Sequence, residues 1–263
     1  MKNINLFVLF TLLAIAVSCT APAPNGATDR KDQPENPAAP GFNVAGSDDK
    51  AIAIADEVMK AMGGRENWDG TRYLFWNYFG GRTLLWDKFT GDVRIEVPSL
   101  DYKVIVNEKT MEGKLWMAGE EVTQPDSLNK YLERGKRIWI NDSYWLVMPF
   151  KLKDPGVTLT YIGQDTTQTG ELSEVVRLTF EGVGVTPENA YHVWVSQTDK
   201  YVKQWAWYAN AADTAARFTL PWDNYQQMGN IMLSDDRGER DLSEVQVLTE
   251  VPKGIFEDFG VTL

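Results

Sequence analysis

PDSLNKYLERGKRIWINDSYWLVMPF, residues 125–150, is where the periodicity of this 263-residue chain changes. Leu128, Tyr131, Leu132, Ile138, Trp139, Trp145 and Leu146 fall at approximately helical spacing. Asp126 or Ser127 can cap the start by accepting from a free N–H of the first turn. Pro149 cannot continue a helix. The stretch predicts one or two helices between 126 and 147. The runs on either side of it have period two, so the helices interrupt a series of strands.

Upstream, RYLFWNYFG (72–80) and RTLLWDKFTGDVRIEV (82–97) read as strands joined at Gly80-Gly81, a hairpin-type turn. In the second, Val93, Ile95 and Val97 face one way and Arg94 and Glu96 the other. DYKVIVN (101–107) and GKLWMAG (113–119) extend the meander into an antiparallel sheet with one dry and one wet face. Before it, Ser47-Asp48-Asp49 signals a helix start. Ile52, Ala55, Val58, Met59 and Met62 share one face, and Gly63-Gly64 closes a helix over about 49–62. Downstream, Asp154-Pro155-Gly156 turns the chain back to strand. Further strands are predicted at 171–180, 189–196, 201–208, 216–222 and 242–251. Residues 223–241 read either as a strand with loops or as an irregular segment. Strands and helices do not alternate, which argues against a parallel α/β sheet. The expected class is α+β: a curled antiparallel sheet, an incomplete barrel, wrapped around a few helices.

Residues 1–18 carry one charge, Lys2, and then an apolar run from Ile4 to Val17, too short for a membrane span. Ala16-Val17-Ser18 precede Cys19, the only cysteine. The segment resembles a bacterial lipoprotein signal with Cys19 as the lipidated residue. The plainer alternative is a signal peptide that happens to hold a thiol. Residues 19–47, with prolines at 22, 24, 34, 37 and 40, read as a disordered tether, and 48–263 as a single domain. Lipoprotein sorting rules, with Thr20 after the cysteine, imply an outer-membrane anchor facing the periplasm; exposure at the cell surface stays open. The net charge of −11 argues against a nucleic-acid partner. Membrane contact is expected through Cys19 instead.

Few groups for catalysis remain. One histidine and one anchored cysteine leave no imidazole or thiolate metal site, and LSDDRGERD (233–241) lacks the EF-hand ligand order, so it reads as a solvated acidic loop. His192 has no G-x-S-x-G nucleophile elbow to serve and reads as a histidine hydrogen-bonded on a sheet. No glycine pattern for phosphate or dinucleotide binding occurs, and no cofactor is expected. A carboxylate pair is not excluded by composition, but none stands out, and a non-catalytic protein is expected.

Aromatic residues are abundant: ten Trp, ten Tyr and eleven Phe. Core packing explains most of them. In YVKQWAWY (201–208), however, rings fall on both faces of one strand. Trp205 and Trp207 are expected to point inward, since Val202, Gln204 and Ala206 offer little bulk. Trp76, Trp86 and Trp116 from strands, with Trp139 and Trp145 from the helical stretch, complete the candidates for lining an internal volume.

The order helix, meander, helical insert, second meander, behind a lipoprotein signal, resembles the LolA/LolB superfamily of lipoprotein carriers and receptors. LLWDKFTGDVRIEV and NDSYWLVMPFKLKDPGVTLTYIG resemble stretches of lipoproteins of that general kind. The resemblance implies an incomplete barrel around helices, with an apolar cavity for acyl chains and a movable helical lid. The anchor places the chain nearer the receptor than the soluble carrier. The implied role is non-catalytic binding of a lipid or acylated molecule. The alternatives are an interaction module of an envelope complex with a filled cavity, or a carboxylate-based carbohydrate enzyme or binder.

Overall fold

A computed structural model of the chain describes residues 35–263, and the signal segment and Cys19 lie outside the described residues. Two helices come first, α1 (Asp49–Ala61) and α2 (Arg65–Gly70). A meander follows: β1 (Tyr73–Tyr78), β2 (Arg82–Asp87), β3 (Asp92–Val97), β4 (Tyr102–Asn107), β5 (Gly113–Met117) and β6 (Glu120–Glu121). A single helix, α3 (Pro125–Val147), then separates it from β7 (Val157–Thr166), β8 (Leu172–Phe180), β9 (Ala190–Ser196), β10 (Val202–Tyr208) and β11 (Phe218–Pro221). A ribbon, β12 (Asp223–Met228) with β13 (Ile231–Asp236), and the strand β14 (Leu242–Leu248) complete the fold.

Pairing is antiparallel throughout. One sheet has seven strands in the order β14-β1-β2-β3-β4-β5-β6, and the other has five in the order β11-β10-β9-β8-β7. The sheets are not closed into a barrel; they curl around α3, and the β12–β13 ribbon lies beside β10, β14 and α3. This is the α+β architecture expected from the change of period.

Alternation makes the dry face of the large sheet. Leu74, Trp86, Val93 and Val106 form one cross-strand row, and Trp76, Leu84, Ile95, Val104 and Leu115 the next. These side chains belong to the core. The other face is wet only in part: Glu96, Lys103 and Lys114 reach solvent there, but Arg94 does not. Residues 252–263 return across it, and Arg94, 3% exposed, donates to the carbonyls of Ile255 (2.7 Å), Asp258 (3.0 Å) and Phe259 (3.2 Å). A buried guanidinium thus collects backbone acceptors that have no strand partner.

Several boundaries differ from the sequence reading. The expected strand 82–97 is two strands, because Asp87 accepts from the backbone N–H of Phe89 and Thr90, and Gly91 takes φ +88°. Residues 35–47, expected within the tether, pack on the domain: Phe42 is buried, and Asn43 and Asp48 donate backbone N–H groups to Val157 and Leu159. Ser47 and Asp48 do not cap α1 with their side chains. Ser47 Oγ accepts from Leu159 N–H and Asp48 Oδ2 from Tyr161 N–H, so they tie this segment to β7. The ambiguous 223–241 contains the ribbon, and Arg237, expected in a solvated loop, is fully buried.

Candidate functional site

The rings expected around one interior volume divide into groups. Trp205 is fully buried, stacked on Tyr191 (centroids 5.4 Å) and edge-on to Trp145 (4.7 Å) and Trp222 (5.1 Å). Phe218 closes the group against Trp145 and Trp205. Trp76 is fully buried in the same core. Trp86 and Trp139 meet edge to face at 5.2 Å, under the middle of α3. Trp116 is apart from these. Its neighbour Leu115 takes the core side, so the Trp116 ring lies on the opposite face, against Phe259.

The strand 201–208 carries rings on both faces because the sheet has packing on both. Trp205 and Trp207 share the side of Tyr191 and Phe218. Tyr208 lies on the other side with His192, and Trp194 packs there with Val175 and Ala206. Trp207 is only half-buried. Its Nε1 donates to the Asn189 side-chain oxygen (2.9 Å), while the amide nitrogen donates to Ala209 O (2.9 Å). A bulge at Lys203 shifts the parity, so Val202 also points into the core.

The C-terminal half of α3 meets β8 and β9 at a cleft of about 100 Å³. Its walls are Ile140, Tyr144 and Trp145 of α3 with Phe180 and Tyr191 of the sheet. The loop 181–189 contributes Val183 and Val185 to its lining. Gly182 and Gly184 take φ +65° and +77° there, a conformation glycine adopts without strain. Tyr144 Oη is buried and has no hydrogen-bond partner among the described residues. Burial raises the Tyr144 phenol well above its usual pKa and pushes Tyr191 up to about 12. Both are neutral hydroxyls at physiological pH.

Beside the cleft runs a wider groove of about 680 Å³, and Asn141, Val185 and Thr186 line both. On the wall of the groove Arg82 makes a two-pronged contact with the fully buried Asp142, Nε to Oδ2 at 2.5 Å and Nη2 to Oδ1 at 2.7 Å. Asn141 Nδ2 also donates to Asp142 Oδ1, at 2.9 Å. Burial raises the Asp142 pKa, and the Arg82 bond and charge partly offset that rise. The pair fixes the side of α3 against β2.

Arg237 holds the end of the same helix. Its Nη2 donates to Trp145 O (2.8 Å) and its Nη1 to Ser234 Oγ (2.8 Å), while the guanidinium carbon lies 3.5 Å from the Trp222 ring centre. Burial pulls its pKa down to about 9, which leaves it charged at neutral pH. A cation on the last carbonyls of a helix also opposes the negative end of the dipole.

His192 hydrogen-bonds to Tyr208 Oη across 3.3 Å on the outer face of β9. Tyr144, Phe180 and Tyr191 were not among the sequence candidates. Tyr191 could have been found by pairing: it lies directly opposite Trp207, on the same face of the sheet.

No protein-family model matches the chain, and neither does any curated protein. Solved structures similar to it include a DUF1329 family protein from Desulfovibrio piger, at 12% identity and TM-score 0.44, covering 82% of this chain and 100% of that one. Another is a putative outer membrane lipoprotein-sorting protein domain from Vibrio parahaemolyticus, at 13% identity and TM-score 0.37, covering 79% and 96%. A LolA superfamily protein from Nitrosomonas europaea is similar at 10% identity and TM-score 0.38, covering 79% and 97%.

Proposed function

We propose that the chain is a non-catalytic envelope lipoprotein, anchored through Cys19 to the periplasmic side of the outer membrane, that binds the apolar part of a lipid or acylated molecule. The observation that carries this reading is the ring-walled cleft between α3 and β8–β9, also lined by the valine- and glycine-bearing loop 181–189. Each methylene moved from water onto those rings contributes about 0.8 kcal/mol. The cleft is smaller than the ~300 Å³ at which small-molecule sites begin. A full acyl chain therefore enters only when the loop 181–189 swings away, with Gly182 and Gly184 as hinges. The lid in this reading is that loop rather than a helix.

The filled state of the core, with Trp76, Trp205 and Trp222 fully buried, favours a second reading: an interaction module in which rings replace the ligand. Native mass spectrometry with organic extraction separates the two, using the full chain carrying Cys19→Ser recovered from a bacterial periplasm. The ligand-binding reading expects a stoichiometric adduct of lipid size. A clean apo mass, with no uptake of a neutral fluorescent acyl probe, sinks it and leaves the interaction module.

A further inference from the structure

The groove beside the cleft is basic in a chain whose acids outnumber its Lys and Arg by 37 to 26. Lys130, Arg134 and Arg137 lie along it, all exposed, at i, i+4 and i+7 of α3. That spacing puts them in one row on the helix. The ion pairs formed among the described residues leave all three without a carboxylate. Like charges at this spacing repel one another along a helix. Three acids are near. Asp126 stands one turn before Lys130 and the exposed Glu133 one turn before Arg137, neither within ion-pair distance, and Asp142 is already committed to Arg82.

The row leads into the cleft. Arg137 stands eight residues before Trp145 on the same helix, about 12 Å along its axis. Asn141 sits between them and lines both openings. A molecule with a charged end in the groove and an apolar end among Tyr144, Trp145 and Phe180 would span that distance.

We propose that the groove holds the phosphate headgroup of an amphiphile whose apolar tail occupies the cleft, with Arg134 and Arg137 as its principal charge partners and Lys130 as an outer one. The proposal rests on the cleft reading above and names the headgroup class for it. Guanidinium groups suit it because each can offer two parallel donors to a phosphate. The charges are exposed, so the preference is expected to weaken with salt.

The test uses the complete chain carrying Cys19→Ser, titrated with decyl phosphate, uncharged decanol and inorganic phosphate while tryptophan emission is followed. The Arg134→Gln/Arg137→Gln double variant is run in parallel, with circular dichroism to check its fold. Lys130→Gln is the second variant, expected to lose about threefold in decyl phosphate affinity even if the double variant misfolds. In the parent chain decyl phosphate is expected to bind about tenfold tighter than decanol. In the double variant that preference disappears and decanol affinity is unchanged. Equal binding of the two by the parent overturns the headgroup site and leaves the apolar cleft standing. Binding of neither overturns both. Inorganic phosphate as tight as decyl phosphate would replace the amphiphile with a free-phosphate site. Arginine-dependent binding to phosphatidylglycerol vesicles without decyl phosphate binding would replace it with a membrane surface.

Discussion

The two halves of α3 differ in what packs against them most closely. The N-terminal half lies close on the seven-stranded sheet. A Cβ added at Gly135 would stand 3.2 Å from Val104 Cγ1 and 3.3 Å from Val106 Cγ1, so the helix backbone all but touches aliphatic side chains of β4. The C-terminal half is held to the five-stranded sheet through rings, Tyr144 against Phe180 and Tyr191, and Trp145 against Trp205 and Phe218. Branched aliphatic side chains and a glycine let two surfaces interlock without gaps. The cleft opens in the ring-packed half. The cleft thus lies beside the ring-packed half, which Arg82–Asp142 and Arg237 also hold, while close aliphatic contact holds the other half.

The largest effect is expected where the ring-packed half is removed from the core. Trp205→Ala should cost about 3–5 kcal/mol, since it deletes the ring shared by Tyr191, Trp145, Trp222 and Phe218. Trp116→Ala, on the outer face against Phe259, should cost under about 1.5 kcal/mol, because that half-buried ring is outside the core and loses a single aromatic neighbour. Urea unfolding of both variants checks the contrast. Equal losses would mean that the outer face, with its C-terminal strap, is as much a core as the inner one.

Arg237→Met comes next. It leaves the carbonyl of Trp145 and the Ser234 hydroxyl without their donor in a buried site, an expected loss of about 2–4 kcal/mol. It should also loosen the cleft wall, so that hydrogen exchange at 144–147 rises more than at 130–135. A uniform rise along α3 would show that the helix moves as one piece and that its halves are not separately held.

Why some of this was legible before the structure, and some not, follows from the kinds of contact involved. Period alone placed α3 and nearly every strand, because alternation and the 3.6 repeat reflect burial on one face. It failed where one residue changed parity or direction. Lys203 bulges β10, and Asp87 with Gly91 folds 82–97 back on itself. Ser47 and Asp48 carry a valid capping signature, yet β7 competes for their oxygens and wins. In the site, Trp145 and Trp205 could be named from their position in the pattern. The loop 181–189 has no period, and its tie to the sheet runs through the Asn189 side chain, bonded to Thr186, Trp207 and Ala209, which no motif signals. The basic row was visible as letters, but its closeness to the cleft depends on how α3 lies across two sheets.

A smaller loss is expected from overfilling the close contact at Gly135. Gly135→Val adds branched methyl groups where even a Cβ is tight, and should cost about 1–3 kcal/mol through overpacking. Its effect on ligand uptake should be slight, because the cleft lies at the other end of the helix. If uptake falls as much as stability, the wall is not fixed by the close-packed half, and the division between the two halves fails.

The smallest effect concerns the five-stranded sheet's outer side, where the chain's sole histidine reports alone. Burial, with help from the Arg177 charge, lowers the His192 pKa to about 4 from its usual 6.5. Between those values the unfolded chain binds more protons than the folded one, so stability rises with pH from about 4 to about 6.5 and is flat on either side as far as this group is concerned. The ring is partly exposed, and solvent screening reduces the swing to about 1 kcal/mol. His192→Gln removes that slope, so the difference between parent and variant isolates it from the many carboxylates. An imidazole proton resonance titrating near pH 4 agrees with this packing. A midpoint near 6.5 would mean that Tyr208 and Trp194 leave the ring in water, and that the outer face of β9 is bare while only its inner, ring-packed face is built to exclude solvent.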